Sequence, residues 1–212
     1  MIAQFIIWLL LLPGMSTIQI LSKPSIPPLI AKNNLYQGAN IPIEVIPCFK
    51  NGDLILRTGY GLISNSIITV LNEPRAFSHV GILVLENGSW QVLHTLSGSV
   101  SEKDGIRSEP LDDFLEESRP KNLMVVRLKG GNPDTLICEA EMFRAAGIPF
   151  DQQFDLSDGS SFYCAEFVQN AMDRSGYPAW QVSTLPNGKN YLAFSHLYDK
   201  RYAEIIYDAA DD

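Results

Sequence analysis

Apolar residues gather in the middle of the chain as short runs separated by turn signals. Residues 78–85 (SHVGILVL) and 89–94 (SWQVLH) are two such runs, with Asn87-Gly88 between them. Asn-Gly between two apolar runs predicts a β-hairpin, because both turn positions need positive φ. Residues 54–57 (LILR), behind a turn at Asn51-Gly52-Asp53, predict another strand, as do residues 123–128 (LMVVRL) and 203–207 (AEIIY). Gly59 and Gly61 mark a loop, and helical patterns follow at 62–71, 108–117 and 134–146. The last of these is closed by Gly147 with Pro149 beyond it. Strands clustered mid-chain, with helices around and after them, predict an α+β domain with a mostly antiparallel sheet.

One helix stands out. Between Asp158 and Gly176, the residues Cys164, Phe167, Val168, Ala171 and Met172 recur at helical spacing on one face. Ser160 or Ser161 can cap its start, and Gly176 followed by Pro178 ends it. Cys164 then lies in the first turn, where unpaired N–H groups and the helix dipole favour a thiolate. A lone Cys on an apolar face is more often packing than chemistry, so the question becomes whether a base stands near it.

The amino-terminal residues read differently. Residues 2–12 (IAQFIIWLLLL) form an apolar run broken by Pro13-Gly14. It is short for a membrane span and suits the hydrophobic region of a signal peptide. No Lys or Arg precedes it and no clean cleavage motif follows, which keeps an uncleaved anchor in view. Residues 15–47 are Pro-rich and lack periodicity, as in an extended linker. The expected organisation is a signal peptide or anchor at 1–14, a linker at 15–47 and a folded domain at 48–212, outside the cytoplasm.

Composition narrows the partners. Hydrophobic residues make up 46% and charged residues 19%, a globular balance, and the net charge is −8. Without a basic cluster, a nucleic-acid partner is disfavoured. Three cysteines cannot build a disulfide framework; Cys48 and Cys138 could pair in an oxidising compartment, but separate buried thiols are expected.

The chain has three histidines. His79 opens one hairpin strand and His94 closes the other, so the turn at Asn87-Gly88 brings them together across the strands. One imidazole can then take the thiol proton while the other orients it. Each alone is more often a structural imidazole. Cys plus two His could also hold zinc, but no CxxC or HxxxH spacing supports a fourth ligand, and no metal or other cofactor is expected. Glu166 is expected to face away or cap a neighbouring loop, Asp53 to bond within its turn, and Asp151 and Asp155 to cap loops.

These residues resemble a known family. Cys164 in FYCAEFV, His79 in SHVGI, the opening NGDLILR, the lead-in PFDQQFDLSDG and the closing LYDKRYAEIIYD look like the permuted papain-like amidases of the YiiX and YaeF type, within the NlpC-type superfamily. The resemblance runs from about residue 51 to residue 207. It implies a circularly permuted papain-like fold, with the His strands ahead of the Cys helix. It also implies Cys164 as nucleophile, His79 as general base and a polar third residue that falls on His94, where many YiiX-like proteins carry Glu. A Cys–His ion pair of this kind can hold a thiol pKa near roughly 3–4. The Cys164 N–H and Tyr163 are candidates to hold the oxyanion. The expected activity is thiol hydrolysis of amide or ester bonds in cell-envelope peptides, peptidoglycan or lipid-linked acyl groups. The alternatives are an acyltransferase, or a lipid- or amino-acid-binding protein that keeps the cleft.

Overall fold

The computed structural model describes residues 38–211. Its framework is a six-stranded antiparallel sheet in the order β4-β3-β2-β1-β5-β8. The strands are β1 (Leu54–Gly59), β2 (His79–Glu86), β3 (Ser89–Leu96), β4 (Gly105–Pro110), β5 (Ser118–Leu128) and β8 (Ala203–Asp208). A small separate hairpin joins β6 (Val182–Thr184) to β7 (Asn190–Leu192). The helices are α1 (Gly61–Leu71), α2 (Leu111–Glu116), α3 (Pro133–Ala145) and α4 (Cys164–Asp173).

Side chains alternate across the central strands, because successive Cβ atoms point to opposite faces. Leu54, Leu56, Val80, Ile82, Leu93, Met124 and Val126 face α3 and α4. Ile55, Leu83, Val92, Leu123 and Val125 face α2. The sheet is therefore buried on both sides, which explains why β1 reads as a continuous apolar run rather than an alternation. On α4, Phe167, Val168 and Ala171 are fully buried; truncating a side chain such as Phe167 to Ala costs about 3–5 kcal/mol.

The hairpin forms as the sequence predicts. Asn87 has φ 50° and Gly88 φ 82°, the left-handed pair such a turn needs. In its ladder Ile82 faces Leu93 and Glu86 faces Ser89.

Elsewhere the elements depart from the sequence reading. The helix expected at 108–117 is two elements: β4, paired with β3 from Gln91↔Pro110 to Leu96↔Gly105, and then the short α2. Ile106 to Glu109 carry no apolar repeat of their own and take strand geometry from their neighbour. β5 begins five residues before its apolar part and runs through Pro120. That proline falls between the pairs Arg57↔Leu123 and Gly59↔Ser118, beside a register shift, a position where a residue without an N–H is tolerated. β6 and β7 are too short to leave a periodic signature.

The signal or anchor expected at 1–14, and the linker up to residue 37, lie outside the described residues. The described end of that linker is packed on the domain: Ala39 and Ile41 are buried in the α2-side core, and the Ala39 N–H donates to the Leu115 carbonyl at 3.0 Å. Cys48 and Cys138 are separate as expected, but exposed rather than buried.

Candidate active site

The site forms where β2 and β3 part, at the N-terminus of α4. Tyr163 is the N-cap, with extended backbone (φ −85°, ψ 172°), and Cys164 is the first helical residue. The expected serine cap is not used: the Ser160 N–H donates to Asp158 Oδ1 at 2.9 Å within the preceding loop. Glu166 supplies the cap contact instead. Its Oε2 accepts from the Tyr163 N–H at 3.4 Å, so it braces its own helix rather than a neighbouring loop. Burial, the largest influence, raises the Glu166 carboxyl to about 7 against the pull of that N–H.

The last rung between β2 and β3 is Ile82↔Leu93. Beyond it lies Val80, whose N–H, with those of Ala165 and of Cys164 itself, favours the thiolate form of Cys164. The residue that follows His79 thus acts on the thiol through its backbone. Burial outweighs these donors and the nearby Arg57 charge, and pushes the thiol up to about 11.

The two histidines are joined as the hairpin geometry implies. His79 Nε2 lies 2.7 Å from His94 Nδ1, with the rings edge to face at 5.0 Å. Both project to the α2 face, where the Phe114 ring packs on them at 5.9 and 5.5 Å. Arg57, directly across from His79 in the β1–β2 ladder, stacks 4.2 Å above the same Phe114 ring. Its guanidinium donates to the Phe114 carbonyl at 2.8 Å and to Glu117 Oε2 at 3.1 Å. On the far side, His94 Nε2 lies 3.2 Å from Glu109 Oε1, within ion-pair reach but off the line of a straight hydrogen bond.

Both imidazoles are held well below the ordinary histidine range. Burial is the main cause, followed by the positive charge of Arg57; Arg107 adds to it for both rings, and His94 for His79. A resting thiolate–imidazolium pair, the expectation from sequence, is therefore not what these surroundings favour. Burial favours the neutral form of the thiol and of both rings.

Of the other residues singled out in the sequence, Tyr163 packs its ring on Phe154 at 5.4 Å, and burial raises its phenol far above the ordinary range. Asp151 caps its loop by accepting from the Gln153 and Asp155 N–H groups at 2.7 and 2.6 Å. Asp155 caps the next turn through the Ser157 N–H at 3.0 Å. Asp53 accepts from the Lys50 N–H within its turn at 2.8 Å and also pairs with both Arg127 donors at 2.8 and 2.7 Å. Arg57, Glu109 and Phe114 were not anticipated, because each reaches the histidines through strand register or helix packing. The strand register of Arg57 with the His79 strand is the one signal that could have drawn attention to it.

A hollow of about 590 Å³ opens between the loop after Asp151 and the β6–β7 hairpin. Phe154 and Leu156 form one wall, Val182, Lys189 and Asn190 the other. Because Phe154 also packs on Tyr163, the hollow adjoins the first turn of α4.

A helix-start cysteine behind two strand-borne histidines, on a sheet packed by helices, defines a papain-like domain in permuted order. Residues 48–191 match the family described as the permuted papain-like amidase enzymes, YaeF/YiiX, C92, and the chain belongs to that family. Among solved structures it is similar to the metalloprotein yiiX from Escherichia coli O157:H7. The TM-score is 0.62 and the identity 17%, over 75% of this chain and 97% of that one. At that identity the likeness speaks to the fold. No curated protein matches the chain. The family places the protein among the amidase-like hydrolases.

Proposed function

We propose that the protein is a thiol hydrolase in which Cys164 is the nucleophile, His79 the general base and His94 the group that orients it. The observation that carries this reading is the buried 2.7 Å contact between His79 Nε2 and His94 Nδ1, one residue along the chain from Val80, whose N–H favours the Cys164 thiolate. His79 takes the thiol proton as the sulfur attacks the substrate carbonyl, and returns it to the leaving amine or alcohol. Water then attacks the thioester, with the same ring as base. The N–H groups at the start of α4, with Tyr163 beside them, suit the oxyanion. Because burial favours the neutral thiol and neutral rings, proton transfer accompanies substrate entry rather than preceding it.

The substrates we favour are cell-envelope peptides, peptidoglycan or lipid-linked acyl groups, seated in the hollow beside Phe154. This rests on the apolar run at 2–12, read as an export signal or anchor. No helix among the described residues is long and apolar enough to cross a membrane. A reporter active only after export, fused behind residues 1–47, tests the localisation, and an inactive but well-expressed fusion rejects it. The activity itself is tested by screening amide and ester substrates with the wild type and Cys164→Ala. Turnover that survives in Cys164→Ala removes the proposal.

The burial of Cys164, with 7% of its surface exposed, gives a second reading some support: a water-poor thioester suits acyl transfer to another acceptor. Product analysis with added amine separates transfer from hydrolysis.

A further inference from the structure

In the β3–β4 ladder His94 faces Arg107 and Val92 faces Glu109. Val92 belongs to the α2-side core, so His94, Arg107 and Glu109 project to that face as well. There Glu109 Oε1 comes within 3.2 Å of His94 Nε2, while His94 Nδ1 meets His79 Nε2 at 2.7 Å.

A neutral imidazole has one N–H and one bare nitrogen, and a carboxylate can only accept. The nitrogen that faces Glu109 is therefore the one that keeps its proton. His94 Nδ1 is then bare and accepts from His79 Nε2, which leaves His79 Nδ1 bare. In the opposite register a lone pair on His94 would face a carboxylate oxygen. His79 would then hold its proton on Nδ1, where a thiol proton has to arrive. Building on the assignment of Cys164 and His79 as nucleophile and base, we infer that Glu109 is a positioning residue that fixes His94 as the Nε2–H tautomer, so that His79 offers a bare nitrogen to the thiol.

Charge acts in the same direction. The groups facing His94 are Arg57 from β1, His79 from β2, Arg107 and Glu109 from β4, and the uncharged Phe114 from α2, with Glu117 holding Arg57. Both arginines oppose a proton on either ring. Glu109 supplies the compensating negative charge when His79 takes the thiol proton.

The test uses the full chain with Cys48→Ser and Cys138→Ser, since both of those thiols are exposed. With three histidines in the chain, nitrogen-15 histidine spectra resolve the tautomers. His94 is expected as Nε2–H; finding it as Nδ1–H overturns the inference without any variant. Glu109→Ala should mix the tautomers and slow Cys164 alkylation at pH 7 roughly tenfold, with the alkylation midpoint moved up by roughly one pH unit. Glu109→Asp, which keeps the charge, should recover most of the rate. Wild-type tautomer and midpoint in Glu109→Ala overturn the inference, as does a slower rate with no movement of either. His79→Ala is the separate control: if it leaves alkylation unchanged, the base assignment fails while the tautomer result on Glu109 still stands.

Discussion

At the scale of single residues, one contact makes two chemically identical rings unequal. His79 borders Val80, whose N–H favours the Cys164 thiolate, whereas His94 is fully buried behind it. Removing the base removes the proton acceptor; removing the orienter leaves an acceptor that is poorly held. His79→Ala is therefore expected to lower turnover by roughly 10²–10⁴-fold and to slow the base-assisted alkylation of Cys164 near neutral pH. His94→Gln can still bond the His79 ring and should retain measurable activity, as should His94→Glu. The measurement is the pH dependence of Cys164 alkylation alongside hydrolysis of a screened substrate. Equal losses in His79→Ala and His94→Gln would mean that the roles are wrongly divided.

At the scale of elements, α2 is a six-residue helix whose Phe114 clamps His79, His94 and Arg57 together. Phe114→Ala should cost about 3–5 kcal/mol in urea unfolding and also broaden the pH profile of Cys164 alkylation, because the rings lose their backing. Asn132→Ala makes the contrast. It removes the cap that accepts from the Asp134 and Thr135 N–H groups at 2.9 and 3.1 Å, and should cost about 1 kcal/mol. Because that cap starts α3, away from the histidines, alkylation should stay as in the wild type; if it changes, the site is less local than described. The same elements mark what was legible beforehand. The Asn87-Gly88 hairpin and the Cys164 helix write their geometry in adjacent residues, so the pairing of His79 with His94 followed from spacing. β4 and α2 do not. Ile106 to Glu109 become a strand only because β3 lies beside them, and Arg57 and Glu109 reach the histidines only through cross-strand register. The thiol's protonation state was also hidden, since burial overrides the pull of the helix start.

For the whole molecule, the same buried groups shape stability against pH. In the unfolded chain His79 and His94 titrate near 6.5, but in the fold both lie well below it. Below pH 6.5 the unfolded chain binds protons that the fold refuses, so stability falls as pH drops. Glu166 acts in the opposite sense: raised from 4.5 to about 7, it costs stability as pH climbs through that interval. Cys164, raised from 9.0 to about 11, extends the loss above pH 9. Thermal melts should show an acid limb that begins near pH 6.5 and flattens in the double variant His79→Ala, His94→Gln. Glu166→Gln should raise the midpoint more at pH 8 than at pH 5. An acid limb unchanged in the double variant would assign it to carboxylates instead.

The order of elements along the chain has a further effect, in time rather than in space. β1 pairs with β2 on one side but with β5 on the other, and β5 takes its outer partner from β8. Such distant pairings form late, because long loops must close first. A chain emerging from its amino-terminal end brings out both histidine strands well before the cysteine helix, and the last strand of the sheet later still. A partly emerged chain therefore carries the histidines proposed as base and orienter without the proposed nucleophile, and the thiol meets them only when the sheet is nearly complete.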